Sequence, residues 1–339
     1  MTPKERFDCV FGSGGVSPEL LVMPLIMTRA ARHCKLRYID YIRDPLLQAQ
    51  AQFAICRDFD LDILATTSDP VSELAALGGS LVWFDDDPPA PDPLKPLLTD
   101  SSDLDRLKQP DPRGANRMGD RLIAIKEMKR LGEGRIPVLG WVEGPISEAA
   151  VMRGMTTLME DLIDDPEFIH KLFSFNVDMA IAYAEAQVEA GADMIGFGDA
   201  PASLIGPVFY EEFVLSHEQR MIEGIKRLGV PVRMHICGNT TKILDLMAQS
   251  GSDMVDIDSV ADFEAAARAF DPSIKLLGNL DPVREVLNSD PESIESRLDE
   301  CHRIAGDRYI VGAGCEIPAK TTDDNLLAFS RYGHRLSAG

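Results

Sequence analysis

Pro231-Val232-Arg233-Met234-His235-Ile236-Cys237-Gly238 reads as a short buried strand with chemistry at its end. Apolar residues dominate its body, as expected of a parallel strand covered on both faces. Side chains two apart on a strand point to the same side, so His235 and Cys237 can address one centre together. Seven further runs share the form, at residues 21–28, 61–69, 137–143, 192–199, 253–259, 274–281 and 309–315. Stretches with helical spacing separate most of them, for example Phe168 to Ala190 and Phe213 to Leu228. Strand alternating with helix eight times is the pattern of an α/β protein, a (β/α)8 TIM barrel. No linker-like stretch divides residues 1–339, so a single domain is expected.

Near the C-terminal ends of these runs stand Arg29, Asp69, Glu143, Asp199, His235 with Cys237, Asp258, Asp281 and Cys315. Barrel enzymes build their active sites at that face. His235, Cys237 and Cys315 form a three-ligand set of imidazole and thiolates, which leaves a fourth position open and points to catalytic zinc. A buried histidine with two inert core cysteines is the alternative, since free cysteine is among the most buried residue types. Each carboxylate taken alone could simply cap the following helix, a contribution of about 1 kcal/mol. Caps need neither histidine nor cysteine, so capping does not account for the whole set.

Composition narrows the function classes. A formal charge of −21 argues against a nucleic-acid partner, which needs a basic patch. Gly12-Ser13-Gly14-Gly15 lacks the Gly-Lys-Ser/Thr of a phosphate loop and reads as a turn. Six cysteines without paired spacing suit a reducing compartment. The mixed charges of Lys4, Glu5, Arg6 and Asp8 do not resemble a signal peptide, and the most apolar early stretch, Leu20 to Met27, is much too short to span a bilayer. A cytoplasmic protein is expected. The Pro-rich acidic stretch from Asp85 to Pro112 reads as a surface excursion, either a lid or docking loop or a plain solvated loop. His170, His217, His302 and His334 stand on helical stretches without ligand-spaced partners.

Five motifs together resemble the uroporphyrinogen decarboxylase superfamily over nearly the whole chain. They are Val142-Glu143-Gly144-Pro145, Gly198-Asp199-Ala200-Pro201-Ala202-Ser203, His235-Ile236-Cys237-Gly238-Asn239, Gly278-Asn279-Leu280-Asp281-Pro282 and Gly314-Cys315-Glu316-Ile317-Pro318. The sequence is most similar to the zinc-dependent, corrinoid-linked methyltransferases of that superfamily, in which the His-x-Cys-Gly pair and the late cysteine hold zinc. The decarboxylase branch carries an Arg-Gln-Ala-Gly-Arg-Tyr segment that meets porphyrinogen carboxylates. Here Thr28-Arg29-Ala30-Ala31-Arg32-His33 stands in its place, with Arg32 matched to the second arginine and Thr28 where the first should be.

The resemblance implies methyl transfer to or from the cobalt of a corrinoid carried by a partner protein. The small molecule is a thiol acceptor or a methyl donor such as an ether or methylamine. Zinc falls to His235, Cys237 and Cys315, and the candidate catalytic carboxylates are Asp199, Glu143 and Asp69. Asp258 or Glu143 is expected as a fourth ligand or as the hydrogen-bond partner of His235, with Asp199 positioning substrate. Two rivals follow from the same residues. One is a cofactor-free decarboxylase using Asp69 and Arg32, and the other is a non-catalytic corrinoid-handling protein that keeps the metal site for structure.

Overall fold

The computed structural model describes residues 1–12, 17–66 and 70–335. Strand β1 (Leu64–Ala65) is followed by a small antiparallel ribbon of β2 (Leu81–Val82) and β3 (Ala90–Pro91). Then come β4 (Val138–Glu143), β5 (Met194–Gly198), β6 (Val232–His235), β7 (Met254–Ile257), β8 (Lys275–Gly278) and β9 (Tyr309–Ile310). Among the described residues, β1 and β4 to β9 form one seven-stranded parallel sheet in chain order. Helices connect successive strands, as parallel pairing requires.

The run at 21–28 departs most from expectation. Val22 makes one parallel bridge to Val311, and the Asp62 amide donates to the Val22 carbonyl at 2.9 Å. Pro24 has no N–H and cannot extend the ladder, so the chain leaves it and enters the helix Thr28–His33. The run at 309–315 likewise forms a ladder only over Tyr309–Ile310, and beyond it makes single bridges, Val311 to Val22 and Ala313 to Leu280 in β8's extension.

The strands of the seven-stranded sheet are largely buried on both faces. Leu139, Met194, Met254, Leu277 and Ile310 gather with Leu21, Met23 and Phe7 in one cluster, and the helices pack their apolar faces on the opposite side. Strand β6 contributes a charge: Arg233 is fully buried and donates to the Met23 carbonyl at 3.2 Å. The expected long helix is Pro166–Ala190. Asp165 caps its start by accepting from the Phe168 amide, and Gly191 ends it at φ 115°, a left-handed conformation that glycine adopts without strain. Trp83, beside the ribbon, lies between the guanidinium groups of Arg43 at 3.9 Å and Arg117 at 5.0 Å. Among the described residues no helix is long and apolar enough to cross a membrane.

Candidate metal centre

His235 ends β6, and Cys237 follows after one residue. The parallel register places His235 beside Asp256 of β7, and its Nδ1 lies 2.9 Å from Asp256 Oδ2. Asp256 in turn accepts from Arg233, with Nε 3.0 Å from both oxygens and Nη2 2.9 Å from Oδ2. All three side chains are buried, so the Arg233 and Asp256 charges neutralise each other where water does not. Because Nδ1 is engaged, the ring presents Nε2 to the two sulfurs. Nε2 stands 2.8 Å from Cys237 Sγ and 3.7 Å from Cys315 Sγ, with 3.6 Å between the sulfurs.

Two glycines make this convergence possible. Gly238 turns the chain at φ 97°, and its amide donates to Asp258 Oδ2 at 2.7 Å, which fixes the backbone just past Cys237. Gly314 lets the Cys315 segment approach its neighbour, since a Cβ there would stand 2.5 Å from the Ser259 nitrogen.

The three groups share their protons unequally. Burial opposes a charged His235, but Asp256 and the Cys315 sulfur outweigh it and hold the imidazole up to about 10. Cys315 is drawn down to about 4, first by its hydrogen bond from Cys237, with burial opposing and His235 assisting. The same contact with Cys315, together with burial, pushes the Cys237 thiol far up. An oriented imidazole nitrogen with two sulfurs, all within 4.8 Å of one another, is a donor set that could hold a metal ion.

The centre lies in the wall of a cavity of about 410 Å³. Glu143, at the end of β4, lines that cavity, as does Glu316. Burial raises the Glu316 carboxyl above its ordinary range, against two hydrogen bonds of 2.7 Å from the Thr28 amide and hydroxyl. The excursion after β1 contributes Pro88 to the cavity wall, so that stretch belongs to the site.

Asp199 lies behind the cavity wall, which its neighbours Gly198 and Ala200 line. It is fully buried, and its Oδ1 accepts from the Ser147 amide at 2.8 Å, in the first turn of helix Pro145–Arg153. Among the described residues its Oδ2 and Glu218 Oε1 face no donor, and burial pushes both carboxyls above the ordinary range, a pair that can hold one proton between them. Burial, opposed by the Ser147 and Glu218 hydrogen bonds, lifts Asp199 to about 7. An acid whose folded pKa is raised binds more protons folded than unfolded, so its stabilisation is present in acid and lost as pH rises through about 7. Glu218→Gln supplies a neutral donor instead. It is expected to leave stability little changed at about pH 5 and to raise it by about 1–3 kcal/mol at about pH 8. Denaturant unfolding at the two pH values checks this, and an equal change at both would contradict the shared proton.

Other expectations fall as follows. Asp69 lies outside the described residues. Asp256, not Asp258 or Glu143, bonds His235. It shares strand parity with Asp258, and the register sets it beside the histidine. Asp281 is a helix cap, accepting from the Val283 and Arg284 amides. His170 and His217 do have partners: each other, with Nδ1 and Nε2 3.3 Å apart across two helices.

The uroporphyrinogen decarboxylase (URO-D) family pattern matches residues 19–336. The chain belongs to the uroporphyrinogen decarboxylase family. Within the family it is 33% identical over 238 residues to "Methylcobamide:CoM methyltransferase MtbA" of Methanosarcina mazei, across 70% of this chain and 69% of that one. It is 28% identical over 313 residues to the uroporphyrinogen decarboxylase of Myxococcus xanthus, across 89% and 87% of the two chains. A solved methyltransferase from Methanosarcina mazei shares the fold, with a TM-score of 0.88 over 98% of both chains at 21% identity.

Proposed function

We propose that this chain is a zinc-dependent methyltransferase that moves a methyl group to or from the cobalt of a corrinoid carried by a partner protein. The observation that carries this reading is the convergence of His235, Cys237 and Cys315 on one cavity wall. Similarity to relatives named methylcobamide:CoM methyltransferases supports it. The fold we propose is a single (β/α)8 TIM barrel over residues 1–339, with the Val22 segment between β9 and β1 in the eighth place. Two accessible thiols kept for a metal suit the reducing cytoplasm, where we place the protein.

His235, Cys237 and Cys315 would hold the zinc, which supplies Lewis acidity to the heteroatom that gains or loses the methyl group. Asp256 fixes the tautomer and orientation of His235 through Nδ1. Asp258 keeps the Cys237 turn in place through the Gly238 amide. Glu143 faces the small molecule in the cavity. Asp199 acts at one remove, by anchoring the helix Pro145–Arg153 whose Ala150 and Val151 form part of the wall. The partner docks at the strand C-terminal face, where the cavity lies.

A porphyrinogen decarboxylase would need cations for its substrate's carboxylates. Arg29 is buried against the Thr321 carbonyl and Asp323, and Arg32 lines a separate groove with Lys35 and Arg37. Methyl exchange with free cobalamin tests the reading. The wild-type protein is expected to demethylate methylcobalamin with a thiol, or to methylate Co(I) cobalamin from a methyl donor. Cys237→Ser is expected to do neither, and equal rates in the two proteins would rule the site out.

A further inference from the structure

We infer that the small molecule serving this centre is uncharged and largely apolar, a neutral thiol or methyl ether in class, and carries no anionic group. This rests on the methyl-transfer reading and adds the chemical class of its substrate. The cavity's volume, about 410 Å³, falls in the range of small-molecule sites, roughly 300–1,000 Å³. Leu25, Met27, Trp141, Val151, Met155 and Pro201 dominate its walls. Its carboxyl groups are Glu143 and Glu316, and among the described residues no lysine or arginine lines it. The undescribed residues, 13–16, 67–69 and 336–339, include neither lysine nor arginine, so they supply no such side chain.

The arginines that flank wall residues in sequence are engaged elsewhere. Arg29 is held by Thr321 and Asp323. Arg153 pairs with Asp161 and donates to the Leu98 and Thr99 carbonyls. Arg233 pairs with Asp256. One feature near the cavity could still attract an anion: the N-terminus of helix Pro145–Arg153, whose Pro145 follows the cavity residue Glu143 after one glycine. Asp199 already occupies it through the Ser147 amide. A sulfonate or carboxylate entering this cavity would therefore lose its water, meet two carboxyl groups and find no lysine or arginine to pair with, the metal position being taken by the reacting sulfur or oxygen. The chain's net charge of −21 opposes its approach as well. An apolar, neutral molecule loses nothing by the same transfer and gains contact with the walls.

Two thiols that differ in charge provide the test. In each case the thiol sulfur forms a bond to the methyl carbon, the carbon–cobalt bond breaks with its pair left on cobalt as Co(I), and the thiol proton goes to solvent. Zinc-loaded protein is titrated with 1-propanethiol and with 2-mercaptoethanesulfonate, and binding is read from Trp141 emission in a Trp83→Phe background. Isothermal titration calorimetry on the unsubstituted chain makes the same comparison without the tryptophan change. Transfer from methylcobalamin is then measured with both thiols. The neutral thiol is expected to bind and react better by at least about tenfold, the scale of one charge-assisted contact. Met155→Arg, which adds a cation at a wall position 42% exposed, is expected to narrow or reverse that ratio. Equal or tighter binding of the sulfonate, or no binding of either thiol, overturns the inference. A preserved binding preference with no methyl transfer from either thiol supports the neutral-ligand preference and counts against the methyl-transfer reading instead.

Discussion

Cys315→Ser is expected to lose most or all of its zinc, while wild-type protein purified without added metal carries about one ion per chain. Serine keeps the size of the side chain but replaces a thiol drawn down to about 4 with a hydroxyl that does not ionise at working pH. Cys315 is the donor that the chain brings back from its far end, and without it the set falls to His235 and Cys237. The fold has little reason to change, because Cys315 is only half-buried and Gly314, which makes the close approach, remains. Elemental analysis with circular dichroism decides the matter. A full zinc equivalent in the variant would move the metal to other residues. Zinc-free, freshly reduced wild type would remove it from the reading altogether.

Asp256→Ala should be the most damaging single change near the site, through two separate effects. It strands the Arg233 guanidinium, fully buried and bonded on its acidic side only to Asp256, and unpairing a buried charge costs about 3–5 kcal/mol. It also frees His235 Nδ1, and losing such a support typically weakens metal binding about 10- to 100-fold. Burial alone would raise the Asp256 carboxyl, but Arg233 and His235 hold it below the ordinary range. A depressed folded pKa means that this stabilisation is present above the unfolded value and lost as pH falls through the folded one. The gap between wild type and variant should therefore persist at neutral pH and shrink only in acid. Denaturant unfolding gives the stability and competition with a chelator gives the affinity. A variant as stable as wild type would mean that Arg233 finds another partner.

The strands of the sheet are legible in the sequence because buried parallel strands are continuous apolar runs, whatever the tertiary details. The first and last runs pair over less of their length than expected, for reasons also visible in the chain. Pro24 removes a ladder donor, and the residues after Ile310 pair only through isolated bridges at Val311 and Ala313. The His235-Cys237-Cys315 set was legible from strand parity and the barrel-like pattern. The choice between Asp256 and Asp258 is not legible, because both lie on one strand face and the register that sets one of them beside His235 is fixed only in three dimensions. Asp199 shows the converse. Its place at a strand end suggested chemistry, yet burial and the Ser147 amide assign it to holding a helix, and nothing local in Gly198-Asp199-Ala200 distinguishes the two roles. Glu218, its partner, lies on a helix whose apolar spacing gave no hint of a buried carboxyl.

The sulfurs and imidazole belong to the ends of the sheet and its immediate turns, whereas much of the wall facing them, including Pro70, Pro88 and Met155, comes from connecting segments. Loops accept insertion and replacement that strands refuse. Inheritance can thus act on the two parts independently: a lineage keeps one reaction fixed while it exchanges, residue by residue, the compounds on which that reaction is performed.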